Sequence, residues 1–222
     1  MEKKVVKLPM NSHEKYMKDK KCDYKTLAIM TLYSNMTPIE EQDENGSYEE
    51  YRYLYKNKII KFTEEIEGLS KNKINTILKN IRRLSQLDDG SLVSACKNAE
   101  GEIYYVINYC NGDKGNKYVT IEEDMLRALT NACSSNTIKI YILLKYMCGD
   151  GERKITREYI AEQIGISTGK KGKQVVSDCT KTLSGCGFIK KRKVYHHDSE
   201  INCDIYYSIN THEEWEEVRS KN

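Results

Sequence analysis

The sequence predicts a mainly helical α+β protein that runs through one plan twice. Apolar residues recur at three- and four-residue spacing in several stretches, each half closes with two short β-rich runs, and basic residues gather on one long amphipathic stretch in each half. The length of 222 residues suits two small domains, each able to bury a core. The boundaries read as a basic N-terminal segment 1–21, a first domain 22–110, a linker 111–116 of glycine and polar residues, and a second domain 117–222 with an acidic C-terminal tail.

The first half opens on the stretch "DYKTLAIMTLYSNM", where Leu27, Met30 and Tyr33, with Ala28 and Leu32 beside them, make a helical stripe. The stretch "TPIEEQDENGS", residues 37–47, is too polar for a core, and Pro38 and Gly46 mark it as an irregular loop. The tyrosine-rich run from Tyr48 to Tyr55 is expected as a helix. A short helix is expected to begin at Thr63, Glu64 and Glu65 and to carry Ile66, with "EGLS" turning the chain and Ser70 capping the next helix. On that next helix Ile74, Ile77, Leu78, Ile81 and Leu84 form one apolar stripe. The runs "SLVSAC" and "EIYYVINY" then read as a hairpin with Ile103, Tyr105, Ile107 and Tyr109 on one face.

The second half starts with a short strand and a helix in "KYVTIEEDMLRALTN", followed by the strongly apolar helix "SSNTIKIYILLKYMC". A short helix holds Ile160, Ala161 and Ile164, and after a turn a longer one turns Val175, Val176, Cys179 and Leu183 inward. Two strands follow, the second alternating Ile201, Cys203, Ile205, Tyr207 and Ile209. The tail "THEEWEEVRSKN" reads as a short acidic helix whose Trp215 packs back on the domain. Helix, helix-turn-helix and hairpin is the order of a winged helix-turn-helix, and it occurs twice.

In that motif the first short helix braces the second, whose outer face enters the major groove of DNA. The residues opposite each apolar stripe are therefore the DNA-facing candidates. In the first half these are Lys71, Asn72, Asn75, Thr76, Lys79 and Arg83. In the second they are Lys173, Gln174, Ser177, Lys181 and Thr182, with Lys170 and Lys171 at the helix entrance and Lys190, Lys191, Arg192 and Lys193 on the wing. Asn, Gln, Ser, Thr and Lys are the types that reach base edges or phosphates. Asn75, Thr76, Gln174 and Ser177 are the expected base readers, and the lysines supply salt-dependent affinity.

Charge distribution agrees with this placement where net charge, only +3, does not. Residues 165–195 hold eight Lys/Arg and one acid, Asp178, and residues 69–84 hold five Lys/Arg and no acid. Residues 37–50 carry six acids and no base, which suits a basic protein partner.

The stretches "NTIKIYILLKYM", "ITREYIAEQIGIS" and "TLSGCGFIKK" resemble the winged-helix domains of plasmid and phage replication initiators of low-GC Gram-positive bacteria. In that group a helix with an aromatic and leucines precedes an "IAEEIG"-like brace, and a close of the form L-x-x-x-G-F/L-I leads into the wing. The first half resembles them through "FTEEIEGLSKNKINTILKNIRRL" and its hairpin. The resemblance implies a double-stranded DNA partner and no catalysis, with replication ahead of transcription or conjugation control. A second copy of the chain, or replication or transcription proteins, would be further partners, and a winged domain serving protein interaction alone is the other reading.

Other chemistry finds little footing. "GISTGKKGKQ" looks like a phosphate cradle, but Gly165 and Gly169 have three residues between them, Lys170 is followed by Lys171, and a helix precedes. A P-loop needs four residues, Ser or Thr after the lysine, and a strand before it. His196 and His197 are neighbours on an expected strand and so point to opposite faces, which argues against a shared metal with Asp198 or Cys203. No cofactor motif is present. The tyrosines, 17 against two Phe, sit at alternating strand sites and on helix stripes, as core residues would. No apolar run reaches 18 residues, so no membrane span is expected. The basic start lacks an apolar core segment, and the eight scattered cysteines form no C-x-x-C pair. They are expected reduced, in a cytoplasmic protein.

Overall fold

The structure, a computed structural model, describes residues 4–9, 14–35, 39–42, 48–51, 53–65, 71–90, 92–108, 118–196 and 203–221. Two helices stand at its centre, α2 (Tyr24–Asn35) and α6 (Ser135–Cys148). On α2, Leu27, Ala28, Ile29, Met30, Leu32 and Tyr33 are all buried, and so is the run from Thr137 to Leu144 on α6. A helix apolar on every side belongs inside a protein. Two hydroxyls of α2 are satisfied within the helix itself, Thr31 Oγ1 donating to the Leu27 carbonyl (2.8 Å) and Ser34 Oγ to that of Thr31 (2.9 Å).

Around α2 the first half runs β4 (Tyr53–Tyr55), α3 (Lys56–Glu65), α4 (Lys71–Leu84), a 3₁₀ turn (Leu87–Gly90), β5 (Val93–Lys97) and β6 (Ile103–Ile107). Around α6 the second half runs β8 (Arg153–Lys154), α7 (Arg157–Gln163), α8 (Lys170–Gly185), β9 (Ile189–Tyr195) and β10 (Cys203–Ile209). The sheets have matching order, β4-β6-β5 and β8-β10-β9, with antiparallel neighbours. Each half is thus helix, strand, two helices and two strands, in a mixed α+β protein with more helix than strand. The sequence reading lacked the strand after the first helix in each half.

Several expectations need correction. Tyr48–Tyr51 and Tyr53–Tyr55 are extended, not helical. β3 (Tyr48–Tyr51) pairs with β2 (Ile39–Gln42), and β4 joins the first-half sheet, where Tyr53 and Tyr55 meet Tyr104 with ring centroids 5.4 and 5.6 Å apart. Aromatic cross-strand contacts of this kind favour strand over helix. Residues 39–42, expected to be irregular, and 48–51, expected to be helical, therefore form an antiparallel pair of strands. Its register sets Glu40 opposite Glu50 and Glu41 opposite Glu49. The bracing helix α3 starts at Lys56 and ends at Glu65, where it had been expected to begin near Thr63. Thr63 is buried inside it, its hydroxyl donating to the Ile59 carbonyl (2.6 Å). Ile66, the "EGLS" turn, Ser70, Tyr109, Ile201 and the linker 111–116 lie outside the described residues.

The N-terminal residues do more than supply charge. β1 (Val5–Pro9) pairs antiparallel with β7 (Tyr118–Glu122), the strand that leads into α5 (Glu123–Ala132). The following short helix α1 (Glu14–Lys18) touches α7. Lys139 of α6, only 3% exposed, donates its ammonium to the carbonyls of Met17 and Asp19, both at 2.9 Å. Burial pushes that ammonium below its usual range, while Cys22, Asp19 and Asp23 pull it back up. Because α2 packs on α5 and α6 as well as on α3, α4 and β4, the halves share one apolar core.

The last helix, α9 (His212–Ser220), is held by a complete capping box at Thr211 and Glu214. As expected from the sequence, its Trp215 is buried, 2% exposed and stacked on Phe188 with centroids 6.0 Å apart. Every cysteine among the described residues is a free thiol, with Cys22, Cys133, Cys148 and Cys179 buried. No described helix is long and apolar enough to cross a membrane.

Candidate nucleic-acid interface

The best-defined basic surface lies where α7, α8 and the β9–β10 hairpin meet. Thr156 caps α7, accepting from the Tyr159 N–H. Gly165, at φ +72°, ends it with the Gly165 N–H bonded to the Glu162 carbonyl and the Ile166 N–H to that of Ala161. This is the 6→1 and 5→2 pair of a Schellman close. The turn then folds tightly under α8, since a Cβ on the buried Gly172 would fall 1.5 Å from the Ser167 carbonyl oxygen. The phosphate-cradle stretch is a compact helix-to-helix turn.

Helix α8 buries Gly172, Val176, Cys179, Thr180 and Leu183. Lys171, Gln174, Val175, Asp178, Lys181 and Thr182 face outward. Three details depart from expectation. Val175, placed inward by the sequence reading, is 38% exposed, because Val176 alone of the pair falls on the buried stripe. Ser177 is only half-exposed, at the flank of the face. Lys173 is engaged by Glu158 of α7. Asp178, the lone acid, sits mid-face. Its Oδ1 accepts from Gln174 Nε2 at 2.8 Å, and its backbone carbonyl accepts from Thr182 Oγ1 at 3.1 Å. Lys170 is exposed at the helix entrance.

The four cations of β9, Lys190 to Lys193, split by strand alternation. Lys190 and Arg192 share one face and are paired. Lys190 Nζ meets Glu214 at 2.5 Å, and Arg192 holds both Glu152 oxygens, at 3.0 and 2.5 Å. The bond to Arg192 holds the Glu152 carboxyl below its usual range, as that to Lys190 does for Glu214. Lys191 and Lys193 take the other face, opposite Tyr207 and Ile205. Lys191 donates to Thr180 Oγ1 of α8 at 3.1 Å. Burial first, then the charges of Arg157 and Lys193, push the Lys191 ammonium down. Beside α8, Lys191, Lys193 and Arg157 thus carry no ion pair among the described residues. The sequence reading missed Arg157 because it sits on the bracing helix.

In the first half, the α4 stripe Ile74, Ile77, Ile81 and Leu84 is buried as expected, with Leu78 at its edge. Lys71 and Asn72 fall in its first turn, with side chains outside the described residues. The remaining candidates divide between two flanks. Asn75 and Lys79 border a groove of about 260 Å³ together with Lys56, Arg82 and Tyr105. Thr76 lines the opposite flank, a cleft of about 460 Å³ shared with Asp23, just before α2, Lys25 and Thr26 of α2, and Thr130 and Asn131 of α5. Arg83 borders a second cleft with Lys20, Lys21 and the Ser134–Asn136 start of α6. Asn80 ties α4 to α2 by donating to Asp23 Oδ2 at 2.6 Å. One flank of α4 therefore faces the second half of the chain.

His196 Nε2 lies 3.0 Å from Asp204 Oδ2, and His197 and Asp198 are outside the described residues. A trio, Asp124, His212 and Glu216, draws together. Its carboxylates approach different ring nitrogens, Asp124 at Nε2 (2.7 Å) and Glu216 at Nδ1 (3.6 Å). An imidazole offers one ion one nitrogen, so this arrangement suits a clamp between α5 and α9 better than a metal set.

No family model matches the chain, and no curated protein matches it either.

Proposed function

We propose that the chain is a sequence-specific double-stranded DNA-binding protein of two winged helix-turn-helix halves, acting without catalysis. The observation that carries this reading is the outward face of α8. It presents Lys171, Gln174 and Lys181 on a helix braced by α7 and flanked by Lys191, Lys193 and Arg157. A polar, cation-bordered helix projecting beside a hairpin is the arrangement that enters a major groove while the wing meets phosphate. The matching sheet orders of the halves support the winged reading of both. The resemblance of the second half to plasmid and phage replication initiators makes initiation at an origin the first process to test, ahead of transcription control.

The first half is the weaker reader, because one flank of α4 turns toward the second half. That placement favours a supporting role, in orienting α8 or in contacting a second copy or a replication protein. The test is an electrophoretic shift with random duplex and with the DNA flanking the gene, at two salt concentrations. Lys171→Glu with Lys181→Glu is expected to lower affinity at least about tenfold at low salt. Unchanged binding overturns the α8 assignment, and no retention of any duplex at low salt overturns the DNA-binding reading.

A further inference from the structure

The outward face of α8 carries a feature that phosphate binding does not require. Gln174 and Asp178 lie one turn apart, and the Gln174 Nε2 donates to Asp178 Oδ1 at 2.8 Å. A carboxylate only accepts, so it fixes which end of the amide is nitrogen. One N–H is used. The amide oxygen and the second N–H stay free, an acceptor beside a donor. In the major groove adenine offers the complementary pair, its N6 amino group and N7. Guanine offers two acceptors, O6 and N7, which would set O6 against the Gln174 oxygen with no donor between them. Next to Gln174 stands Val175, an apolar side chain 38% exposed within this polar face. The one apolar group that B-DNA displays in the major groove is the thymine 5-methyl.

We infer that Gln174 and Val175 read an A·T step, Gln174 at adenine N6 and N7 and Val175 at a thymine 5-methyl, with Asp178 as the positioning residue that sets the amide. The assignment rests on the reading of α8 as the groove-reading helix and adds to it the base pair read. It also gives the single acid on a basic face a role, since a carboxylate near phosphates otherwise only weakens binding.

The test uses the full chain. Duplexes retained from a random library at low salt define the bound site, and each of its A·T pairs is then altered atom by atom. Replacing the contacted thymine by deoxyuridine removes only the methyl and is expected to weaken binding about fourfold, the worth of one buried methyl. Val175→Ala is expected to be insensitive to that replacement. Substituting 7-deazaadenine for the contacted adenine is expected to cost about tenfold, and Gln174→Ala to abolish that sensitivity. Asp178→Asn, whose side-chain oxygen still accepts, is expected to keep the preference for adenine over guanine, whereas Asp178→Ala flattens it. Tight duplex binding with no loss at any A·T pair for either probe overturns the A·T assignment and leaves the DNA-binding reading intact. Failure to retain any library duplex overturns both.

Discussion

The backbone of Gly165 lies against that of Lys18: a Cβ on Gly165 would stand 2.1 Å from the Lys18 carbonyl oxygen. The turn that leads into α8 is therefore seated on the N-terminal segment, and Gly165 also holds φ +72°. Gly165→Ala is expected to destabilise the fold by about 2–4 kcal/mol, from the left-handed backbone and the clash together. Thermal unfolding of the variant measures it, and a melting temperature equal to the parent's would contradict this contact.

Removal of residues 1–21 is expected to destabilise the second half, although these residues are remote from it in sequence. The deletion takes away the partner of β7 and both carbonyls that hold the buried Lys139 ammonium. A charged donor left unsatisfied costs about 3 kcal/mol or more. The full chain is expected to melt in one cooperative transition, the truncated chain earlier and with less protection of α6 amides from exchange.

Trp215 is the single tryptophan, so its fluorescence reports the docking of α9. Emission is expected to be blue-shifted in the native state and to move red on unfolding. Trp215→Ala, which removes the ring stacked on Phe188, is expected to cost about 3–5 kcal/mol.

Stability is expected to be highest between about pH 4.5 and 9.0, bounded by the ordinary carboxyl and thiol values. Burial pushes the Cys22 and Cys133 thiols up to about 12 from 9.0. Unfolded thiols ionise near 9.0 and folded ones only near 12, so this stabilisation is complete below 9 and is lost as pH climbs toward 12. On the acid side, partial burial raises Asp124, but bonds from the His212 ring and the Met125 N–H outweigh it and hold the carboxyl below 3.8. Its contribution is present above that value and lost as pH falls through the lower, folded one. Melting temperature against pH checks both limbs, and slow reaction of Cys22 with a thiol reagent checks the first independently.

For DNA binding, Lys171→Gln is expected to weaken every duplex alike and to reduce the slope of log affinity against log salt by about 1. Lys190→Gln is expected to change that slope less, because Lys190 is already paired with Glu214.

What was legible in the sequence depended on whether the deciding partner was local. The stripe of α4, the all-apolar α6 and the outward Lys170, Lys171 and Lys181 of α8 follow from helical periodicity, and the structure keeps them. Val175 is an error of one position on a helix with two adjacent valines. Tyr53 and Tyr55 looked helical because their partner, Tyr104, lies in a strand far along the chain. The pairing of β1 with β7 spans more than a hundred residues and leaves no local mark. At the site, the ion pairs of Lys190 and Arg192 and the turning of Lys191 and Lys193 to the other face came from strand register, which a run of four basic residues does not reveal.

The pairing of β1 with β7 and the hold of Lys139 on the carbonyls of Met17 and Asp19 join the start of the chain to its middle. During synthesis β7 and α6 emerge more than a hundred residues after these partners, so this seam is among the contacts with the longest loop to close.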